Sequence, residues 1–107
     1  MHERRVGEVA VIFVSQRNGR DEAGYAAAAA AMDARAARQP GYRGVDGARG
    51  EDGLGITVSY WADEAAATAW RDDPEHRAIR DAGRGRWYDG YRAIVCTVTR
   101  AYDWTAA

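Results

Sequence analysis

The sequence predicts an α+β fold of the ferredoxin-like βαββαβ type, a four-stranded antiparallel sheet with both helical regions on one face and the second region broken at Pro74. Three observations carry this prediction. Strand-period and helix-period segments alternate in that order along the chain. The strands are apolar on both faces, Val9, Val11 and Phe13 against Ala10, Ile12 and Val14, whereas two helices can hide only one face. The chain has 107 residues, which leaves room for a single domain spanning 1–107 and for a small core that association would complete.

The elements follow in order. Val9 to Gln16 is rich in β-branched residues and apolar on both faces and reads as a strand covered on both sides. Asn18-Gly19 turns the chain and Asp21 caps a helix in which Tyr25, Ala29, Met32 and Ala36 recur at helical spacing. Gln39-Pro40-Gly41 stops that helix, with Arg35 and Arg38 suited to its C-terminal dipole. Tyr42 to Arg49 is a weak, glycine-interrupted strand, joined by the hairpin chemistry of Gly50-Glu51-Asp52-Gly53 to a stronger one, Leu54 to Trp61. Asp63-Glu64 opens a short helix ending at Asp72-Asp73-Pro74. There Asp73 can cap, and Pro74 can start, a further helix running to about Arg84 to Trp87. Arg92 to Tyr102 reads as a long closing strand and Asp103 to Ala107 as a polar tail. The uncovered sheet face then packs against the same face of another copy, giving a homodimer.

Fifteen basic against sixteen acidic residues give a formal charge of -1, with no basic footprint for nucleic acid or an anionic membrane surface. Every basic residue is Arg, which reads as nucleotide-composition bias and carries no functional weight. The longest aliphatic stretch, Val9 to Val14, is too short for a signal-peptide core or a membrane span, so a cytoplasmic location is expected. Cys96 is alone, which excludes an internal disulfide and a CxxC site, and its apolar strand predicts a buried structural thiol. His2 and His76 are far apart and Cys96 has no spaced partner, so no metal site is expected. No dinucleotide or P-loop motif occurs.

Chemistry concentrates between Trp70 and Tyr91. At about 100° per residue, Pro74 to Trp87 places His76, Ile79, Gly83 and Trp87 in one stripe with Arg80 beside it. Gly83 leaves a gap where a side chain would stand, and Trp87 offers a flat wall. Together with Trp61, Trp70, Tyr60, Tyr88 and Tyr91, and with Phe13 from the N-terminal half, this describes a pocket for a flat, conjugated guest beside an imidazole. The helix start favours a neutral His76, while Asp72, Asp73 and Glu75 favour its cation. Arg84 and Arg86 read as cations at the helix C-terminus.

Ser59-Tyr60-Trp61, Trp70-Arg71, Pro74-Glu75-His76, Gly83-Arg84, Trp87-Tyr88 and Ala101-Tyr102-Asp103-Trp104 together resemble the antibiotic biosynthesis monooxygenase family, over a core of about 9–104. The resemblance implies a dimeric α+β barrel in which two ferredoxin-like sheets face each other. It implies oxygenation of polycyclic aromatic phenols to quinones without metal, flavin or haem, or else, as in other relatives, haem binding and degradation. Trp70 matches a tryptophan of the haem-degrading relatives, but the position of their ligating histidine is held here by Arg80, with His76 about one turn earlier. Ser15 and Gln16 stand near the place of their catalytic asparagine.

The expected function is therefore cofactor-independent oxidation of a small phenolic substrate by dioxygen, with His76 as general base. Arg80 would stabilise the phenolate or the reduced oxygen, and Trp61, Trp70, Trp87, Tyr60, Tyr88, Tyr91 and Phe13 would hold the ring. The alternatives are haem as ligand or substrate, and a non-catalytic protein that binds a small aromatic molecule.

Overall fold

The computed structural model describes residues 5–106; His2 lies outside them. Strand β1 (Val9–Arg17) is central, pairing antiparallel with β3 (Leu54–Trp61) on one side and β4 (Tyr88–Thr97) on the other. Strand β2 (Tyr42–Arg49) pairs with β3, so the sheet order is β2-β3-β1-β4, the predicted split topology. Helix α1 (Glu22–Ala37) links β1 to β2, while α2 (Glu64–Asp72) and α3 (Pro74–Gly83) link β3 to β4.

Cross-strand partners share a face, so the register sorts the side chains. Val9, Val11, Phe13 and Ser15 lie with Trp61, Thr57, Tyr91 and Val95 under the helices. Ala10, Ile12 and Val14 lie with Tyr60, Val58, Ile56, Ile94 and Cys96 on the other face, which no helix covers. The tightest packing is at one end of the helix layer, where Val9, the fully buried Trp61 and Ala67 of α2 meet, flanked by Tyr42, Ala36 and Trp70. An indole buried this completely costs about 3–5 kcal/mol to replace by Ala.

The caps follow the predicted residues. Asp21 accepts from the Gly24 amide for α1, Asp63 from Ala66 for α2 and Asp73 from His76 for α3, with Pro74 in the first turn. Arg35, expected only to face the dipole of α1, instead crosses to α3 and grips Asp73 with two bonds of 2.7 and 2.9 Å.

Four expectations are corrected. Helix α3 stops at Gly83, one residue short of the expected end between Arg84 and Trp87, because Arg84 is extended and Gly85 takes a positive φ of 75°. Strand β4 begins at Tyr88 and ends at Thr97, not at Arg92 and Tyr102, because Thr97 lies opposite Val9, the first residue of β1; beyond it Val98 still bonds to Gly7 and Glu8, which precede that strand. Cys96 is exposed, not buried, since it falls on the face without helices and near the sheet edge. Arg86 does not serve the end of α3; it pairs with Asp21 at the start of α1, at 2.8 Å.

Candidate functional site

Along the helix face of β1 burial changes with position. Val9 at one end and Ser15 and Arg17 at the other are buried, whereas Val11 and Phe13 between them are only half-buried. The residues of α1 above, Tyr25, Met32 and Ala36, are also half-buried, and α1 buries no residue completely. Val11 and Ala36 still pack against the Val9–Trp61–Ala67 cluster, so the side chains left partly open to solvent along this layer are those around Phe13, Tyr25 and Met32. Beside them Val95 of β4, on the same face, is 56% exposed. These partly exposed apolar side chains along β1 and β4 mark the candidate cleft.

The nine residues singled out in the sequence fall into three places. At one end the rings of Trp61 and Trp70 are stacked 6.0 Å apart, and His76 lies flat on Trp70 with ring centroids 4.1 Å apart and planes 6° from parallel. At the other end Phe13, Tyr88 and Tyr91 are in mutual contact at 5.1–6.1 Å, and Tyr25 of α1 joins them through Tyr88 and Trp87. Trp87 does not form the wall beside His76, as the expected stripe required. It lies beyond the end of α3, buried, with its indole N–H donated to Asp21 at 3.1 Å. His76 and Gly83, where the second cluster begins, are seven steps apart along α3, about 10 Å of helix axis. Tyr60 belongs to neither cluster. It sits on the open face, its hydroxyl donating to Asp46 and Arg5 lying 3.7 Å over its ring.

His76 is set by its neighbours with some precision. Its amide is tied to Asp73 and its Nδ1 lies 2.9 Å from the carbonyl oxygen of Trp70. A carbonyl can only accept, so Nδ1 carries the proton and the neutral ring keeps its lone pair on Nε2. Burial holds the imidazole pKa below 6.5; the Trp70 bond opposes this, Arg80 reinforces it and Asp73 opposes it. The ring is therefore neutral at pH 7, resolving the conflict left by the sequence. Arg80 follows one turn on, half-buried, with Nη1 only 3.4 Å from the Arg71 carbonyl and a buried Nε that lacks a hydrogen-bond partner.

A third group was not foreseen. Arg49 of β2 reaches across β3 to donate to Ser15 Oγ at 3.2 Å and to Tyr25 at 3.0 Å. Arg17, buried, lies 3.8 Å over the Tyr25 ring and pairs with Glu22 at 2.7 Å. No spacing rule joins these residues, because they come from β1, α1 and β2 and meet only through the sheet register.

Among the described residues no group of three or more His, Cys, Asp or Glu is placed to hold a metal ion. Nor does any described helix have the length and apolarity to cross a membrane. A hollow of about 280 Å³ between the Gln39-Pro40-Gly41 turn and Ala62, Ala66 and Ala69 is lined by none of the nine residues. The rings expected to wall one cavity with His76 are divided between two ends, so among the described residues the arrangement gives no support to haem as the ligand.

Residues 9–82 match the family described as antibiotic biosynthesis monooxygenase. The chain belongs to that family. A Bacillus subtilis member of the curated proteins, the uncharacterized protein YqjZ, is 45% identical over 91 residues, covering 85% of this chain and 79% of its own. Among solved structures, SnoaB, a cofactor-independent oxygenase from Streptomyces nogalater, is similar with a TM-score of 0.76 at 20% identity, over 90% of this chain and 97% of its own. Rv0793 from Mycobacterium tuberculosis is similar with a TM-score of 0.72 at 19% identity, over 92% of this chain and 99% of its own. At these identities the structural likenesses establish the fold that the monooxygenase family shares.

Proposed function

We propose that this protein is a small homodimeric oxygenase that converts an aromatic, phenol-like substrate to a quinone with dioxygen and without a cofactor. The observation that carries the reading is the tautomer of His76, a neutral imidazole with its basic Nε2 free of the Trp70 bond, in a chain of a monooxygenase family. The likeness to SnoaB supports the absence of a cofactor.

The substrate ring lies in the cleft over Val11 and Phe13, with Trp70 and Tyr91 toward its two ends. His76 Nε2 takes the phenol proton. The phenolate passes one electron to dioxygen, and the resulting radical and superoxide combine to form a carbon–oxygen bond. Loss of the ring proton from that carbon and cleavage of the oxygen–oxygen bond leave the quinone carbonyl, and the departing hydroxide leaves as water with the proton returned by His76. Arg80, whose buried Nε has no hydrogen-bond partner and lies 3.6 Å from the Asp81 carboxylate, stabilises the negative oxygen. The exposed thiol of Cys96 suits a reducing, cytoplasmic setting.

A panel of polycyclic phenols, followed by oxygen uptake and quinone absorbance, tests the reading. His76→Ala is expected to lower the rate about 100-fold or more, the usual contribution of a general base. An unchanged rate refutes the assignment, and substrates that bind but are recovered unaltered under oxygen refute the oxygenase.

A further inference from the structure

We propose that Arg49, held between Ser15 and Tyr25, is the anchor for a carboxylate carried by the aromatic substrate. This rests on the reading that a ring occupies the cleft, and it adds which ring is chosen.

The guanidinium is placed by a gap. Gly55 on β3 lies opposite Arg49, and a Cβ there would stand 2.5 Å from the Arg49 Cζ, so only glycine lets the side chain lie flat across β3 and reach β1. At the far side its partners are the carbonyl oxygen of Gly53 and the hydroxyls of Ser15 and Tyr25. All three are neutral. Among the described residues Arg49 forms no ion pair, whereas the neighbouring Arg17 is matched by Glu22. Two guanidinium groups therefore face the Tyr25 ring with one carboxylate between them.

The hydroxyls extend the site. Each accepts a hydrogen from Arg49, and with Ser15 buried the incoming anion meets the guanidinium beside the Tyr25 hydroxyl, which keeps a hydrogen to donate. Ser15 is only 2% exposed, a buried hydroxyl on the same strand face as Phe13 and Val11. Both Nη2 hydrogens of Arg49 go to Ser15 and Tyr25 and one Nη1 hydrogen goes to Gly53, so a carboxylate would meet the remaining Nη1 or Nε hydrogen and the guanidinium charge rather than a free fork. A flat ring over Phe13 would carry that group toward Arg49 and leave its other end toward His76, so the anchor would set which carbon faces the base.

Naphthoate and its uncharged methyl ester serve as a matched pair of probes, with binding read from backbone amide shifts of the full chain. The acid is expected to bind about 10-fold or more tighter than the ester, as charge-assisted hydrogen bonds allow. Arg49→Gln should bring the two affinities to within about twofold, whereas Arg38→Gln, at the C-cap of α1, should leave the preference in place. Raising salt to about 1 M, where charges are screened within about 3 Å, should shrink the preference in the wild-type protein without any substitution. Equal binding of acid and ester to the wild type, or a preference that survives Arg49→Gln, overturns the anchor alone. If neither probe moves the amides of Val11 and Phe13, the occupied cleft itself is wrong and the anchor falls with it.

Discussion

His76 shows how one contact decides a protonation state. Desolvation against the Trp70 indole outweighs the carbonyl bond that favours the cation, so the folded pKa lies below the ordinary 6.5. The unfolded chain therefore takes up its proton at higher pH than the folded one. The resulting stability is complete above pH 6.5 and is lost as pH falls from there through the folded value. In an imidazole titration followed by NMR, the wild-type ring should titrate below 6.5 and Trp70→Ala should move it upward, toward 6.5. A Trp70→Ala ring that titrates lower still would contradict the assigned cause. Helical spacing made part of this legible: it placed His76 inward with Arg80 one turn on. It could not show the Trp70 stack, which crosses the break at Asp73-Pro74 and depends on the angle between two helices. It misplaced Trp87 because the 100° rule was carried past Gly83, where the helix ends.

Between elements, Asp73 joins three pieces of chain. Its carboxylate caps α3 through the His76 amide and receives the fork of Arg35 from α1, which together hold its pKa down to about 2, the guanidinium being the larger cause. The folded value is depressed, so this contribution is present above the unfolded value near 3.8 and is lost as pH falls through about 2. Asp73→Ala is expected to lower Tm by roughly 5–10 °C at pH 7, from loss of a cap and of the α1–α3 tie. The difference from wild type should narrow near pH 2, and a calorimetric series across that range measures it. A constant difference would mean the carboxylate charge plays no part. The capping half of this was written in the sequence, since Asp73-Pro74 is a local signal. The Arg35 half was not, because residues 35 and 73 are brought together only by the packing of α1 against α3. Strand β4 repeats the lesson: its apolar run was visible, but its limits were set by the register with β1.

For the molecule as a whole, the unbalanced quantity is apolar area. Leu54, Ile56 and Ile94 of the open sheet face are each close to half exposed, and Val58, Ile12 and Cys96 lie among them on the same surface. A monomer rarely leaves such a contiguous patch in water, and a face related to its own copy by a two-fold axis is the simplest cover. Stable interfaces of this kind bury about 1,200–2,000 Å² in total, and a charge placed near the centre must be desolvated without a partner. Sedimentation should therefore give the wild-type protein twice the 11.7 kDa chain mass, and Ile56→Asp combined with Ile94→Asp should give the single-chain mass. Both positions are exposed in the isolated chain and point away from the helices, so the sheet and the cleft on its other face should persist in the variant. Far-UV circular dichroism would be retained, and Tm would become independent of protein concentration, whereas wild-type Tm rises with concentration as mass action requires. A wild-type chain that sediments at 11.7 kDa at all concentrations would leave the open face without a second copy, and the oxygenase reading would then have to stand on the cleft of one chain.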